Sequence, residues 1–306
     1  MRVGTKRAEY QAMQNFTPVS STLGGVLIGL SATAMLMLNG RITGISGILS
    51  GILRPLPGET SWRALFLAGL LLGGALAAGF APGSIGATPR PFAIAILAGL
   101  LVGVGTGLGN GCTSGHGVWD QPRVDALDRG DRHLHGDRRD HSRADKAPMK
   151  TRVVSFVSGL VFAFGLALSG MTRPEKVIGF LNVAGDWDPS LMFVMVGAIG
   201  VHMYFARRAL RMRAPLLVPA FAWPTPKNVD ARLILGAAIF GVGWGLGGFC
   251  PGPALASLPS LMPSTLGFTA AMAFGLALVS WTKKPAREEG RGQPLHDTVD
   301  HLGSGG

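Results

Sequence analysis

Long apolar stretches without a single Asp, Glu, Lys or Arg dominate the chain: 10–40, 64–89, 91–119, 153–172, 189–206 and 233–282. A membrane helix needs about 20 such residues, because lipid forces every backbone polar group to find its partner inside the segment. The pattern predicts helices over 21–38, 64–81, 91–108, 152–168, 190–206, 231–247 and 264–281. The last stretch is interrupted by Pro251, Pro253, Pro259 and Pro263, so it divides into two helices. Apolar pieces at 44–53, 177–183 and 214–222 are too short to span. They read as re-entrant or interfacial segments, tolerated where protein or a cavity satisfies their backbone.

Composition agrees. Of the 306 residues, 47% are hydrophobic and 15% charged, with 46 glycines, where a soluble domain carries roughly 25% charge and 7% glycine. Mean hydropathy is +0.35. A disordered chain and an ordinary soluble enzyme are thereby excluded. The net charge of +11 does not imply nucleic acid. Its cations flank apolar runs (Lys6/Arg7, Arg207/Arg208/Arg211/Arg213, Lys283/Lys284/Arg287), as cytoplasmic anchors of membrane helices do. That rule predicts a multi-pass protein with both termini cytoplasmic, 1–20 and 283–306 being the two tails. It also leaves one crossing missing between residues 109 and 151.

The halves repeat. Gly103-Val-Gly-Thr-Gly-Leu-Gly-Asn-Gly-Cys112 and Gly241-Val-Gly-Trp-Gly-Leu-Gly-Gly-Phe-Cys250 share the pattern G-V-G-x-G-L-G-x-x-C, giving a first membrane repeat over 21–118 and a second over 151–282. The expected fold is an all-α membrane protein, a polytopic helical bundle of two internal repeats with broken helices. Transporters with such repeats bind substrate at discontinuous helices near the midplane. The two cysteines of the chain, Cys112 and Cys250, fall at matched helix breaks, so both are candidate substrate contacts. The glycines Gly109, Gly111, Gly247 and Gly248 are candidates for an anion-binding backbone nest and hinge, and Asn110, Thr113 and His116 for polar lining. No second histidine or acid accompanies the thiols and His116, so no metal site and no cofactor is expected.

Asn110-Gly-Cys-Thr-Ser-Gly-His-Gly117, Phe164-Gly-Leu-Ala-Leu-Ser-Gly-Met-Thr-Arg-Pro174, Lys176-Val-Ile-Gly-Phe-Leu181 and Trp187-Asp-Pro-Ser-Leu191 resemble the YeeE/YedE family of sulfur-compound transporters. The resemblance covers 21–118 and 152–282, with two half-proteins fused. It implies import of thiosulfate or a related sulfur anion across a bacterial inner membrane, along a path of cysteines corresponding to Cys112 and Cys250. It also implies a small cytoplasmic sulfur-carrier protein as partner. A selenium compound or another inorganic anion is the alternative cargo. A membrane thiol oxidoreductase or sulfurtransferase is the alternative class, but neither motif holds an activated Cys-x-x-Cys.

One segment breaks the pattern. Residues 119–150 hold 15 of the 45 charges. Its histidines His133, His135 and His141 alternate with arginines and lack a bounded ligand pattern, so metal binding is not expected. The family continues past Gly-His-Gly-Val with a Cys-Gly pair, a turn and an apolar helix. Read one base later with GC-rich codons, the gene from Trp119 spells a charge-free helix behind such a turn. Loss of one base at Trp119, compensated near Lys146–Ala147, therefore accounts for the segment as a frame slip, and the hidden helix would supply the missing crossing.

Overall fold

The computed structural model describes residues 17–41, 44–55, 60–81, 83–86, 88–109, 149–212, 214–219, 221 and 230–282. Among them every regular element is helical: α1 (Pro18–Asn39), α2 (Ile45–Leu53), α3 (Thr60–Phe80), α4 (Phe92–Leu108), α5 (Met149–Ser169), α6 (Pro174–Leu181), α7 (Ser190–Ala209), α8 (Ala231–Gly247), α9 (Pro251–Ala256), a 3₁₀ turn (Leu258–Ser260) and α10 (Pro263–Thr282). The expected polytopic helical membrane protein is the fold observed. Among the described residues five helices are long and apolar enough to cross a bilayer, or six when α8 and Pro251–Ser260, which meet at a 45° bend, are counted as one broken span.

Local sequence sets the ends. Pro18, Pro174 and Pro251 each open a helix in its first turn, where the missing N–H costs nothing and φ is already helical. α6 therefore starts at Pro174, ahead of the expected 177. Gly40 closes α1 in the left-handed region (φ 61°), its N–H donating to Leu36 O at 2.9 Å, the usual C-terminal cap. The described part of the third short piece, 214–219, is not helical; there Leu216 and Leu217 donate their N–H groups to Met37 O and Leu38 O, sealing the end of α1. The helices α4 and α8, one from each half, have 17 residues each, about 25 Å at 1.5 Å per residue, shorter than the ~30 Å hydrocarbon core.

Small residues decide which helices touch, since without a hydrophobic drive in lipid the helices associate by close backbone approach. A β-carbon on Gly25 would strike the Val194 carbonyl and one on Gly29 the Ala198 carbonyl, so α1 and α7 run parallel. Gly69 and Gly73 meet Phe156 and Leu160 in the same sense, pairing α3 with α5. Gly99, Gly103 and Gly107 meet Phe268, Met272 and Val279, pairing α4 with α10. Two pairs run antiparallel. In α1 and α5, Gly24 faces Gly165, Ser31 Oγ donates to Ser158 O (2.7 Å) and Asn39 Nδ2 to Thr151 O (3.0 Å). In α4 and α8, Gly105 faces Phe240 and Gly109 faces Gly236.

These contacts fix the sides. Thr17 N donates to Ser190 Oγ (3.2 Å) and Lys176 Nζ to Thr17 Oγ1, so α1 begins on the same side as α6 and α7. Gly86 N donates to Thr172 O (3.1 Å), which brings the α3–α4 connection to that side, with the end of α5. The turn after α8 lies there too, Gly248 packing on Pro174. This near side thus holds the starts of α1, α4, α7 and α10. Thr17 and Thr282 lie at opposite ends of the bundle, and Gly109 and Met149 at the same end; the expected tails 1–16 and 283–306 and the expected crossing within 110–148 lie outside the described residues. The far side carries Arg41, Arg54, Arg63, Lys150, Arg152, Arg207, Arg208, Arg211 and Arg232.

Two short helices dip into the bundle from opposite sides, α2 from the far side between α1 and α3, α9 from the near side between α8 and α10. The two helices are in contact, with Gly252 of α9 facing Ile45 of α2. Together they join the two cores, one holding Ile45, Ile48, Phe66, Leu70, Phe162, Leu255 and Ala256, the other Leu49, Val102, Phe240, Phe249, Ala254, Phe268 and Met272.

Candidate functional site

The break between α8 and α9 is built residue by residue. Gly248 turns the chain at φ 70°, a conformation that strains any residue with a β-carbon. Its N–H donates to Trp244 O at 2.8 Å, capping α8. Phe249 then inserts fully into the core, against Phe268 at 5.6 Å between ring centroids. Cys250 follows in extended conformation (φ −106°, ψ 168°) as the residue before α9, its carbonyl accepting from Ala254 N at 3.1 Å. The thiol is half-buried against the core of Leu49, Phe240, Phe249 and Met272. Every residue of α9 is buried.

The other expected site residues divide. Asn110, Gly111, Cys112, Thr113 and His116 lie outside the described residues, as does most of the charged segment. Gly109 and Gly248 are not free to act as a nest: the N–H of Gly109 donates to Gly105 O (2.9 Å) and that of Gly248 to Trp244 O. Gly247 is a packing residue, since a β-carbon there would come within 2.9 Å of the Phe268 ring and 3.0 Å of Ala98. The glycines serve close helix approach rather than anion binding, because within α4 and α8 their amides are already spent on the helix. Among the described residues no cluster of three His, Cys, Asp or Glu could hold a metal.

Around the break the structure adds polar groups that sequence did not single out. The hydroxyls of Ser46 on α2, Ser257 at the end of α9 and Thr265 on α10 are buried without a hydrogen-bond partner, and so is the Trp244 indole N–H on α8. Ser257 and Thr265 are 0% exposed. Each unsatisfied buried donor costs about 1–3 kcal/mol, so four of them on elements that pack around α9 stand out. No sequence signal marks them: a serine or threonine in a membrane helix ordinarily satisfies itself on the preceding turn, as Thr106 and Thr269 do here.

Elsewhere buried polar groups are structural ties. Thr33 Oγ1 lies 3.3 Å from His202 Nδ1, joining α1 to α7. On the near side, burial and then the neighbouring Arg173 hold the Lys176 ammonium below its ordinary pKa, with Asp188 opposing. On the far side, the guanidinium groups of Arg41 and Arg63 lie over Trp62 at 5.7 and 5.2 Å.

Residues 150–289 match a family model described as a family of unknown function, DUF6691. A protein of Xylella fastidiosa strain Temecula1, named "Probable transporter", is 49% identical over 126 residues, which are 41% of this chain and 85% of that relative. Its counterpart in strain 9a5c is 48% identical over the same length, 86% of it covered. The chain belongs to their family. A further Temecula1 "Probable transporter" is 46% identical over 100 residues, 31% of this chain and 70% of its own length. These relatives are about half as long as the present chain. No solved structure matches it.

Proposed function

We propose that the chain is a bacterial inner-membrane transporter that takes up thiosulfate or a closely related sulfur anion, not an enzyme. The observation that carries the reading is the Cys250 thiol at the break of a bent membrane span, where α2 and α9 meet from opposite sides. Thiosulfate is a dianion with one soft sulfur. Neutral donors replace its hydration without the tight hold that arginines would give, and a thiol suits the soft sulfur. The unpartnered donors of Ser46, Trp244, Ser257 and Thr265 are groups that a passing anion satisfies. Cys112, at the matching place in the first repeat, is the second contact, with Asn110, Thr113 and His116 as lining.

The relatives named as transporters support the class, and the resemblance to sulfur-compound transporters supports the cargo, with a small cytoplasmic sulfur-carrier protein receiving it. The arginine-rich far side is the cytoplasmic one, which puts Thr17 outside and Thr282 inside. Uptake of labelled thiosulfate into cells lacking other routes tests the reading. Cys250→Ala and Cys112→Ala should each lower uptake at least tenfold. Unaltered uptake in both variants rejects the thiol path. Competition by sulfate or selenite at equal concentration rejects selectivity for the sulfane sulfur.

A further inference from the structure

Two basic side chains meet on the near side without an acid bonded to either. Gly170 follows α5 in the left-handed region (φ 74°), and both side chains fold over it: a β-carbon there would lie 2.9 Å from Lys176 Cδ and 3.3 Å from Arg173 Nη2. Gly86 closes the other flank, where a β-carbon would lie 3.3 Å from Arg173 Cγ. Arg173 Nε is buried without a hydrogen-bond partner, and the half-buried Lys176 ammonium donates to a neutral oxygen, Thr17 Oγ1. After burial, the charge of Arg173 is what most disfavours the Lys176 ammonium, and that of Asp188 favours it. Asp188 itself is 8% exposed. Its Oδ1 accepts from Ser190 N at 2.9 Å, while its Oδ2 is buried and unpartnered. The neighbouring acids Glu175 and Asp186 are exposed. Most buried polar atoms in proteins are paired, yet this cluster leaves a guanidinium nitrogen and a carboxylate oxygen open, and neither bonds the other.

We propose that Arg173 and Lys176 form the outer receiving site of the transporter, taking a tetrahedral divalent oxyanion before it reaches Cys250, with Asp188 as the resident counter-charge. This rests on the uptake reading above and adds the step ahead of its thiol. Placement supports it. α6 lies directly on the break: a β-carbon on Gly248 would lie 2.8 Å from Pro174 O and 3.1 Å from Ile178 Cγ1, and Cys250 is two residues further on. In that reading the near side faces outward, where the cargo arrives. Arg173 is the N-cap of α6, so the positive end of the helix dipole adds the same sign.

The chemistry divides the work. A guanidinium and an ammonium supply charge and N–H donors but no preference for sulfur over oxygen, so this site collects dianions and the thiol selects among them. Two cations alone would grip a dianion. Asp188 offsets one of them and repels the anion, which keeps the hold loose. Sulfate at equal concentration therefore leaves uptake unchanged, and only a large excess slows it. A lipid phosphate presents similar tetrahedral oxygens, but the setting among Thr17, Gly86 and Gly170, over the break, favours the free ion.

The test measures binding of labelled thiosulfate to the purified 306-residue chain carrying Cys112→Ala and Cys250→Ala, in phosphatidylcholine vesicles. Binding should persist without the thiols and be displaced by excess sulfate. Arg173→Gln and Lys176→Gln should each weaken it about tenfold, and Lys176→Arg should retain it. Asp188→Asn, which keeps an oxygen for Ser190 N, should tighten binding severalfold, a sign that no folding defect produces. With the thiols intact, Arg173→Gln should raise the KM of uptake and spare the maximal rate. Binding that vanishes with the thiols, ignores both glutamine variants or weakens in Asp188→Asn overturns the proposal. So does capture of phosphatidylglycerol from mixed vesicles in place of thiosulfate. If the outer site fails while Cys250→Ala still abolishes uptake, the thiol path stands; sulfate-displaceable binding without thiosulfate uptake rejects that path and keeps the site.

Discussion

The helices α4 and α8 share a glycine pattern, a length and a place in their repeats, yet one is enclosed and the other half bare. On α4, the stripe from Gly99 to Gly107 is consumed by α10 on one face while Gly105 meets Phe240 of α8 on another. On α8, Gly236 and Gly243 meet α4, but a β-carbon on Gly241 or Gly245 would meet nothing within 4 Å among the described residues. The same residues thus have opposite meanings. In α4 a glycine is a requirement of packing; in the described α8 the same glycine only weakens the helix, by about 1 kcal/mol relative to alanine. What separates the two helices is the partner, not their own sequence.

Substitution sharpens this contrast. Gly103→Leu should be the most damaging change, driving a side chain into the Met272 carbonyl. Overpacking of this kind costs about 1–3 kcal/mol and more when backbone must move, and loss of monodisperse protein in detergent should report it. Phe268→Ala comes next, at about 3 kcal/mol, because its buried ring packs against Phe249 and over Gly247; thermal melting would measure it. Gly74→Ala should be milder for stability but marked for uptake. Its β-carbon would strike the Ala256 carbonyl and displace α9, so transport should fall severalfold while helix content holds.

Gly241→Ala should raise the stability of the 306-residue chain by up to about 1 kcal/mol, the opposite sign from position 103. Melting Gly241→Ala and Gly103→Leu side by side gives the sharpest contrast between the helices. The smallest effect concerns Lys176. Its pKa is lowered by burial first and Arg173 second, so the unfolded chain binds the extra proton between the folded value and 10.5. Stability should rise slightly as pH climbs through that window, and Lys176→Met should flatten the slope.

Much of the fold was legible because a charge-free run of about 20 residues has few alternatives in lipid. The expected helices 21–38, 152–168, 190–206 and 264–281 fall within α1, α5, α7 and α10, and the prolines after Cys250 mark the break where it occurs. Orientation was not legible in the same way. The side on which a helix starts follows from contacts such as Thr17 with Ser190. The glycines were misassigned for a related reason. Alternation along the sequence suits either a nest or a packing stripe, and only the neighbouring carbonyls decide. Ser46, Ser257, Thr265 and Trp244 carry no distinguishing pattern at all; their interest arises from what does not reach them after packing.

The meeting of α2 and α9 has an electrical consequence. Nine and six residues amount to about 13 and 9 Å of helix, so neither piece alone insulates the membrane. Each negative charge moved inward there works against about 2.3 kcal/mol per 100 mV of interior-negative potential, and a dianion meets twice that. On the proposed reading, uptake of such a dianion must draw on a co-transported cation or on consumption of the cargo inside. Depolarising the membrane should therefore alter the rate of entry even when the concentration gradient is held constant.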